Sequence, residues 1–212
     1  MRTSFITAAL LAAATTQVTA QYLNQSEPFT LVLLSSDDTL NGVTLSPCHE
    51  GAAIEAFCLG ARISEPDTTF SSYNFNTSSF NSGVNTTIGQ TGYLTWVLRG
   101  GNFNLSSPMG LGYSATSNVA IPLLTPPSAS TTPVAFDESN LLNIQGYVDD
   151  TTSPTTFRTQ AYYRWYVCKT FWGYAYTTLA WGVGKGDPQN PTCVAVNVKR
   201  VFFPIPAAGG YN

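Results

Sequence analysis

The stretch LSPCHEGAAIEAFC, from Leu45 to Cys58, gathers the chain's only histidine, two of its four cysteines and two glutamates into fourteen residues. Those residue types could build half of a metal site, an acid–base pair, or one member of a nucleophilic triad. The spacing argues against each. HEGAAIE lacks the second histidine of an HExxH helix, and no other imidazole exists in the chain. No GxSxG elbow supplies an activated serine. In an extended segment His49 and Glu50 would point to opposite faces. What remains is a covalent staple flanking a solvated or loop-bracing His49, with no catalytic residue, no metal and no cofactor.

The staple restricts the local backbone. In a continuous helix the ten residue steps from Cys48 to Cys58, at about 1.5 Å each, would separate the Cα atoms by about 15 Å, whereas a disulfide tolerates about 4.4–6.8 Å. A fully extended strand separates them further. If Cys48 and Cys58 pair, the chain must therefore reverse near HEGAA, through one helical turn or a wide loop, with GVTL leading in, IEAFCL leading out and Gly51 easing the backbone.

Two acid pairs, Asp37–Asp38 and Asp149–Asp150, invite a glycosidase reading. That chemistry needs two carboxyl groups facing each other across roughly 5–9.5 Å, which neighbours in a turn do not provide unless a distant acid such as Glu50, Glu55 or Asp187 joins them. Aspartates in such positions ordinarily build turns. A calcium site at Asp149 and Asp150 would lack EF-hand spacing. The denser signal is aromatic: AYYRWYVCKTFWGYAYTTLAW, from Ala161 to Trp181, carries nine rings in twenty-one residues. As two antiparallel strands, one face would hold Tyr163 and Trp165 and the other Tyr162 and Tyr166, so both faces cannot be ordinary surface. Core packing and cross-strand pairing account for most of these rings. Trp172, Tyr174 and Tyr176, close to the turn, are the candidates for a platform that stacks on sugar rings.

The compartment follows from the N-terminus. Arg2, the apolar run FITAALLAAA and VTA before Gln21 form a secretory signal peptide over residues 1–20, too short to cross a bilayer. Cleavage after Ala20 would leave 212 − 20 = 192 residues, 21–212, expected to form a single secreted β domain. The ending PIPAAGGYN lacks the apolar tail of a glycolipid-anchor signal. Four cysteines in an oxidising compartment pair into two disulfides. Of the three possible pairings, the local one, Cys48 with Cys58 and Cys168 with Cys193, is favoured. Closing loops of 11 and 26 residues, 48–58 and 168–193, is worth roughly 3 and 3.5 kcal/mol. Sequons at Asn24, Asn76, Asn85 and Asn104 mark expected glycosylation sites on exposed loops. Removing Arg2 from the chain leaves 12 acids against 8 bases, a net charge of −4. Phosphate backbones and anionic lipid would repel such a surface, so neither nucleic acid nor membrane is an expected partner.

The elements that must carry these residues read as β. Apolar residues alternate or run in short blocks between turn residues, without a sustained 3.6-residue repeat. Ten strands are expected: FTLVLL from Phe29, GVTL from Gly42, IEAFCL from Ile54, GYLTWVLR from Gly92, GLGYS from Gly110, VAIPLL from Val119, LLNIQGYV from Leu141, AYYRWYVC from Ala161, GYAYTTLAW from Gly173 and CVAVNVKRVFF from Cys193. In the last of these Val194, Val196 and Val198 share one face while Val201 and Phe203 fall on the other, which predicts a bulge near Lys199 and Arg200. Residues 64–83 read as a long surface excursion, and 125–133 as an extended loop able to accept O-linked sugars. The expected fold is all-β, a β-sandwich of about ten short strands with two disulfides, with a closed barrel or trefoil-like arrangement as the alternative.

The segments NGVTLSPCHEGAAIEAFC, QTGYLTWVL, SNVAIPLL, LLNIQGYVDD, YYRWYVC and YAYTTLAW resemble those of a group of small secreted fungal proteins classed as a domain of unknown function. The likeness spans nearly the whole mature chain and implies an extracellular fungal protein associated with the cell wall. It carries over no catalytic residue. The expected function is a non-enzymatic surface or extracellular protein, a wall component or carbohydrate-binding module whose partner is cell-wall polysaccharide. The alternatives are an effector or elicitor acting on a host protein, which needs a contiguous exposed apolar patch free of sequons, and a glycoside hydrolase using scattered acids. The oligomeric state is not specified.

Overall fold

The computed structural model describes residues 24–63, 70–79, 85–126 and 130–203. The segment read as a signal peptide lies outside them. The described residues form fourteen strands and no helix: β1 (Asn24–Gln25), β2 (Phe29–Leu34), β3 (Val43–Gly51), β4 (Ile54–Arg62), β5 (Tyr73–Thr77), β6 (Thr91–Arg99), β7 (Asn104–Gly112), β8 (Val119–Leu124), β9 (Val134–Phe136), β10 (Leu142–Asp149), β11 (Thr156–Tyr162), β12 (Trp165–Phe171), β13 (Ala175–Gly182) and β14 (Val194–Phe202). The expected all-β class and both disulfides are present.

All pairings are antiparallel and join the strands into one network. Following β5–β2–β14–β12–β13–β8–β7–β6, the hydrogen bonding returns to β5, where Tyr73 lies opposite Trp96. The circuit is not a regular barrel, because β7 and β14 each change partner halfway. Asn104–Pro108 pairs with β6 and Met109–Gly112 with β8, while Val194–Val196 pairs with β12 and Asn197–Phe202 with β2. Strands that switch sheets in this way make the corners of a folded-over sheet. The space they enclose is filled by Phe29, Leu31, Leu33, Leu45, Phe57, Tyr73, Leu94, Met109, Leu142, Trp165 and Leu179, all essentially inaccessible to water. The apolar run VAIPLL is buried at every residue and FTLVLL at every residue but Leu34, as unbroken hydrophobic strands require.

Four departures from the sequence expectation have physical causes. The excursion over 64–83 contains β5, whose Tyr73 and Phe75 are buried between flanks rich in Ser and Asn. The short strands β1 and β9 carry too few residues to show a period. AYYRWYVC is two strands, because the chain breaks from β11 to β12 at Tyr163–Arg164, with the Tyr163 hydroxyl donating to Asp137 Oδ2 and Arg164 stacked 4.6 Å from the Tyr162 ring. Finally, β14 has no bulge: its register with β2 is unbroken from Asn197 to Phe202. Arg200 continues the inward row after Val196 and Val198. Its guanidinium lies 4.4 Å from the Phe136 ring and 4.7 Å from Phe202, and it donates to Asn140 Oδ1. A cation over aromatic faces takes a position that a binary pattern assigns to an aliphatic side chain.

Candidate functional site

The opening stretch is a tight hairpin instead of a wide loop. Gly51 pairs with Ile54, so Ala52 and Ala53 alone make the reversal, with Ala53 in the left-handed region at φ 58°. Ser46 lies opposite Cys58 and Cys48 opposite Ala56, which makes the cysteines diagonal neighbours on one face, with Cα atoms 5.7 Å apart and the disulfide closed. The second disulfide ties Cys168 of β12 to Cys193, next to the start of β14. A register shift between His49 and Gly51 inserts one residue, and that residue is Glu50.

The shift separates the two polar residues of CHEG. The His49 ring is exposed, opposite Glu55 across the hairpin and 5.6 Å from the Tyr174 ring. Glu50 is only 2% exposed. Its Oε2 accepts the backbone N–H groups of Gly173 at 2.9 Å and Tyr174 at 2.8 Å, while Oε1 is buried with no hydrogen-bond partner among the described residues. Gly173 is required at this contact, since a Cβ there would overlap the Glu50 carbonyl oxygen. A buried carboxylate thus fixes the three-residue loop Trp172–Gly173–Tyr174, which joins β12 to β13 beyond the Phe171–Ala175 pair. Glu55 is 8% exposed, and burial raises its pKa, with the charge of His49 pulling it partly back down. Among the described residues no cluster of three or more His, Cys, Asp or Glu side chains could hold a metal ion.

Asp37 and Asp149 build turns. Asp37 Oδ1 accepts from the backbone and hydroxyl of Thr39, and Asp149 Oδ1 does the same for Thr151; in both cases the threonine hydrogen bonds lower the carboxyl pKa. Asp187 is exposed and contributes its carbonyl to Asn118. A cavity of about 460 Å³ beside Tyr163 and Asn197 and another of about 350 Å³ beside Trp172 have no acidic side chain among the described residues of their walls.

The three rings singled out in the sequence all sit at the tip of the β12–β13 hairpin, with Trp172 40%, Tyr174 49% and Tyr176 37% exposed. They do not form one flat platform. Tyr174 and Tyr176 lie 6.2 Å apart at 43°, continuing the row from His49, whereas the indole of Trp172 lies over Gly112 of β7, where a Cβ would fall 2.8 Å from Cζ3. Sequence reasoning missed the bond between hairpin tips 123 residues apart, from Glu50 to Gly173. Of the sequon asparagines, Asn24, Asn85 and Asn104 are exposed, and Asn76 is half-buried on β5 with its Oδ1 enclosed.

An all-β scaffold with two disulfides and an aromatic hairpin tip clamped by a buried carboxylate describes a class of protein without assigning it an activity. The chain belongs to the family described as Domain of unknown function (DUF7907), whose model matches residues 26–202, in agreement with the expected membership of a domain of unknown function. No curated protein and no solved structure matches it.

Proposed function

We propose that this is a secreted, glycosylated, non-enzymatic protein of the fungal surface or medium that binds cell-wall polysaccharide through the aromatic tip of β12–β13. The observation that carries the reading is the half-exposed Tyr174–Tyr176 row, held by a loop whose backbone is locked to Glu50. Large rings kept in water on a fixed backbone suit sugars, whose C–H faces stack on aromatic surfaces while their hydroxyls remain solvated. Trp172 adds a third ring at the same tip. Two disulfides are compatible with the extracellular address. The test is a pulldown of purified protein on a panel of insoluble wall polysaccharides, comparing wild type with Tyr174→Ala/Tyr176→Ala. Retention of the wild type and loss in the double variant are expected. Absence of wild-type retention on every polysaccharide would remove the proposal.

One observation favours the effector reading instead. Tyr147, Val148 and Phe157 on β10 and β11 are each more than half exposed, with the Tyr147 and Phe157 rings 6.0 Å apart and no sequon among them. Contiguous apolar surface of this kind suits a protein partner. Host-protein capture that is lost in Tyr147→Ser/Phe157→Ser and kept in the tip variant would select it.

A further inference from the structure

We infer that the cavity walled by Trp172 is a separate binding site for an uncharged, largely apolar small molecule of up to three rings. It encloses about 350 Å³ between four elements: the β3–β4 turn at Ala52–Ile54, the β7–β8 pair around Gly112 and Leu123, the segment after β8 at Thr125 and Ser130, and the indole itself. That volume lies at the small end of the range for small-molecule sites.

The walls define the ligand. Among the described residues no Asp, Glu, Lys, Arg or His lines the cavity, and the polar side chains there are the hydroxyls of Thr125 and Ser130. An ionised ligand would lose its hydration there with no counter-charge, while an apolar ring would remove the surfaces of Ile54, Leu123 and the indole from water. Two hydroxyls are too few to replace the hydration of a sugar ring, which separates this site from the tyrosine row.

The indole wall is positioned from two sides. Beneath it, Gly112 permits an approach that any side chain would obstruct. Along the backbone, Glu50 holds the N–H groups of the next two residues with a carboxylate buried at considerable desolvation cost. Trp96, Trp165 and Trp181 are buried, so Trp172 is the one tryptophan that presents its ring to solvent, and it does so at the mouth of an apolar cavity.

The experiment is a titration of the intact, disulfide-bonded protein with the neutral probe N-phenyl-1-naphthylamine, followed by probe fluorescence. It is run beside 8-anilinonaphthalene-1-sulfonate, which has the same rings and a negative charge. Saturable binding of the neutral probe at one site is expected, with the sulfonate at least tenfold weaker. Trp172→Ala and Ala52→Phe, the second filling the mouth from an exposed turn position, should each weaken the neutral probe at least tenfold with unchanged far-UV circular dichroism. Tyr174→Ala/Tyr176→Ala should leave it unchanged. No saturable binding, equal affinity for the sulfonate, retention in both cavity variants, or loss in the tyrosine variant would overturn the inference. Because the polysaccharide reading is tested on the tyrosine pair, the two proposals fail separately.

Discussion

The two ends of the β12–β13 hairpin are built from the same kinds of residue and behave in opposite ways. At the base, Trp165 and Trp181 face each other across the strands, edge to face at 4.7 Å, and the Trp165 indole N–H donates to the Leu142 carbonyl. At the tip, Phe171, Tyr174 and Tyr176 project into solvent, and Trp172 stays 40% exposed over Gly112. The base lies over the core and is held by apolar burial, while the tip overhangs it and is held by one carboxylate on two backbone N–H groups. Aromatic content is therefore no measure of burial: what matters is whether a second layer covers the ring.

That contrast can be broken in graded steps. Trp165→Ala removes the largest buried side chain and leaves the Leu142 carbonyl unpaired, and should cost about 3–5 kcal/mol in denaturant unfolding. Midway along the hairpin, Cys168→Ser/Cys193→Ser opens the bridge to β14 and should cost about 3.5 kcal/mol by the loop-closure estimate, read as a lower melting temperature without reductant. At the tip, Glu50→Ala strands two N–H groups and should cost about 1–3 kcal/mol, with faster hydrogen exchange at Gly173 and Tyr174 while the Trp165 amide stays protected. Uniform loss of protection across the hairpin would show that base and tip are one cooperative unit.

A fourth step sharpens the electrostatics near the tip. Burial raises the Glu55 pKa, so folding favours its protonated form. The resulting stability is complete below the ordinary carboxylate range and is lost as pH rises through the raised value. Glu55→Gln should therefore match wild type in acid and become the more stable of the two toward neutral pH, in parallel melts across that range. An unchanged difference would mean that His49 compensates the buried charge fully. The smallest effect belongs to Tyr174→Ala/Tyr176→Ala, within about 0.5 kcal/mol per residue, since these rings stay largely in water and belong to no core cluster of the described residues.

The parts of the fold visible in the chain were those governed by local patterning. FTLVLL and VAIPLL are strands with the boundaries their apolar runs predict, and the reversal between Cys48 and Cys58 follows from disulfide geometry once these two are paired. The hidden parts depended on distant partners. Tyr73 and Phe75 lie among polar neighbours and become a strand only because β6 and the core receive them. Arg200 reads as a break in an apolar row until the rings of Phe29, Phe136 and Phe202 surround it. At the candidate site, the aromatic tract was conspicuous in the sequence, and the link from Glu50 to the Trp172–Tyr174 loop was not.

By itself, then, the sequence determined an all-β chain, favoured a local pairing of its cysteines and showed a concentration of rings near one turn, because periodicity, cysteine geometry and turn chemistry act over a few residues. Tertiary structure alone decided that Glu50 is buried while the adjacent His49 is exposed, and that Trp172 turns toward a cavity while Tyr174 and Tyr176 face solvent. Those outcomes rest on a one-residue register shift and on the meeting of two hairpin tips far apart in the chain, and local sequence carries no energy term for such a meeting.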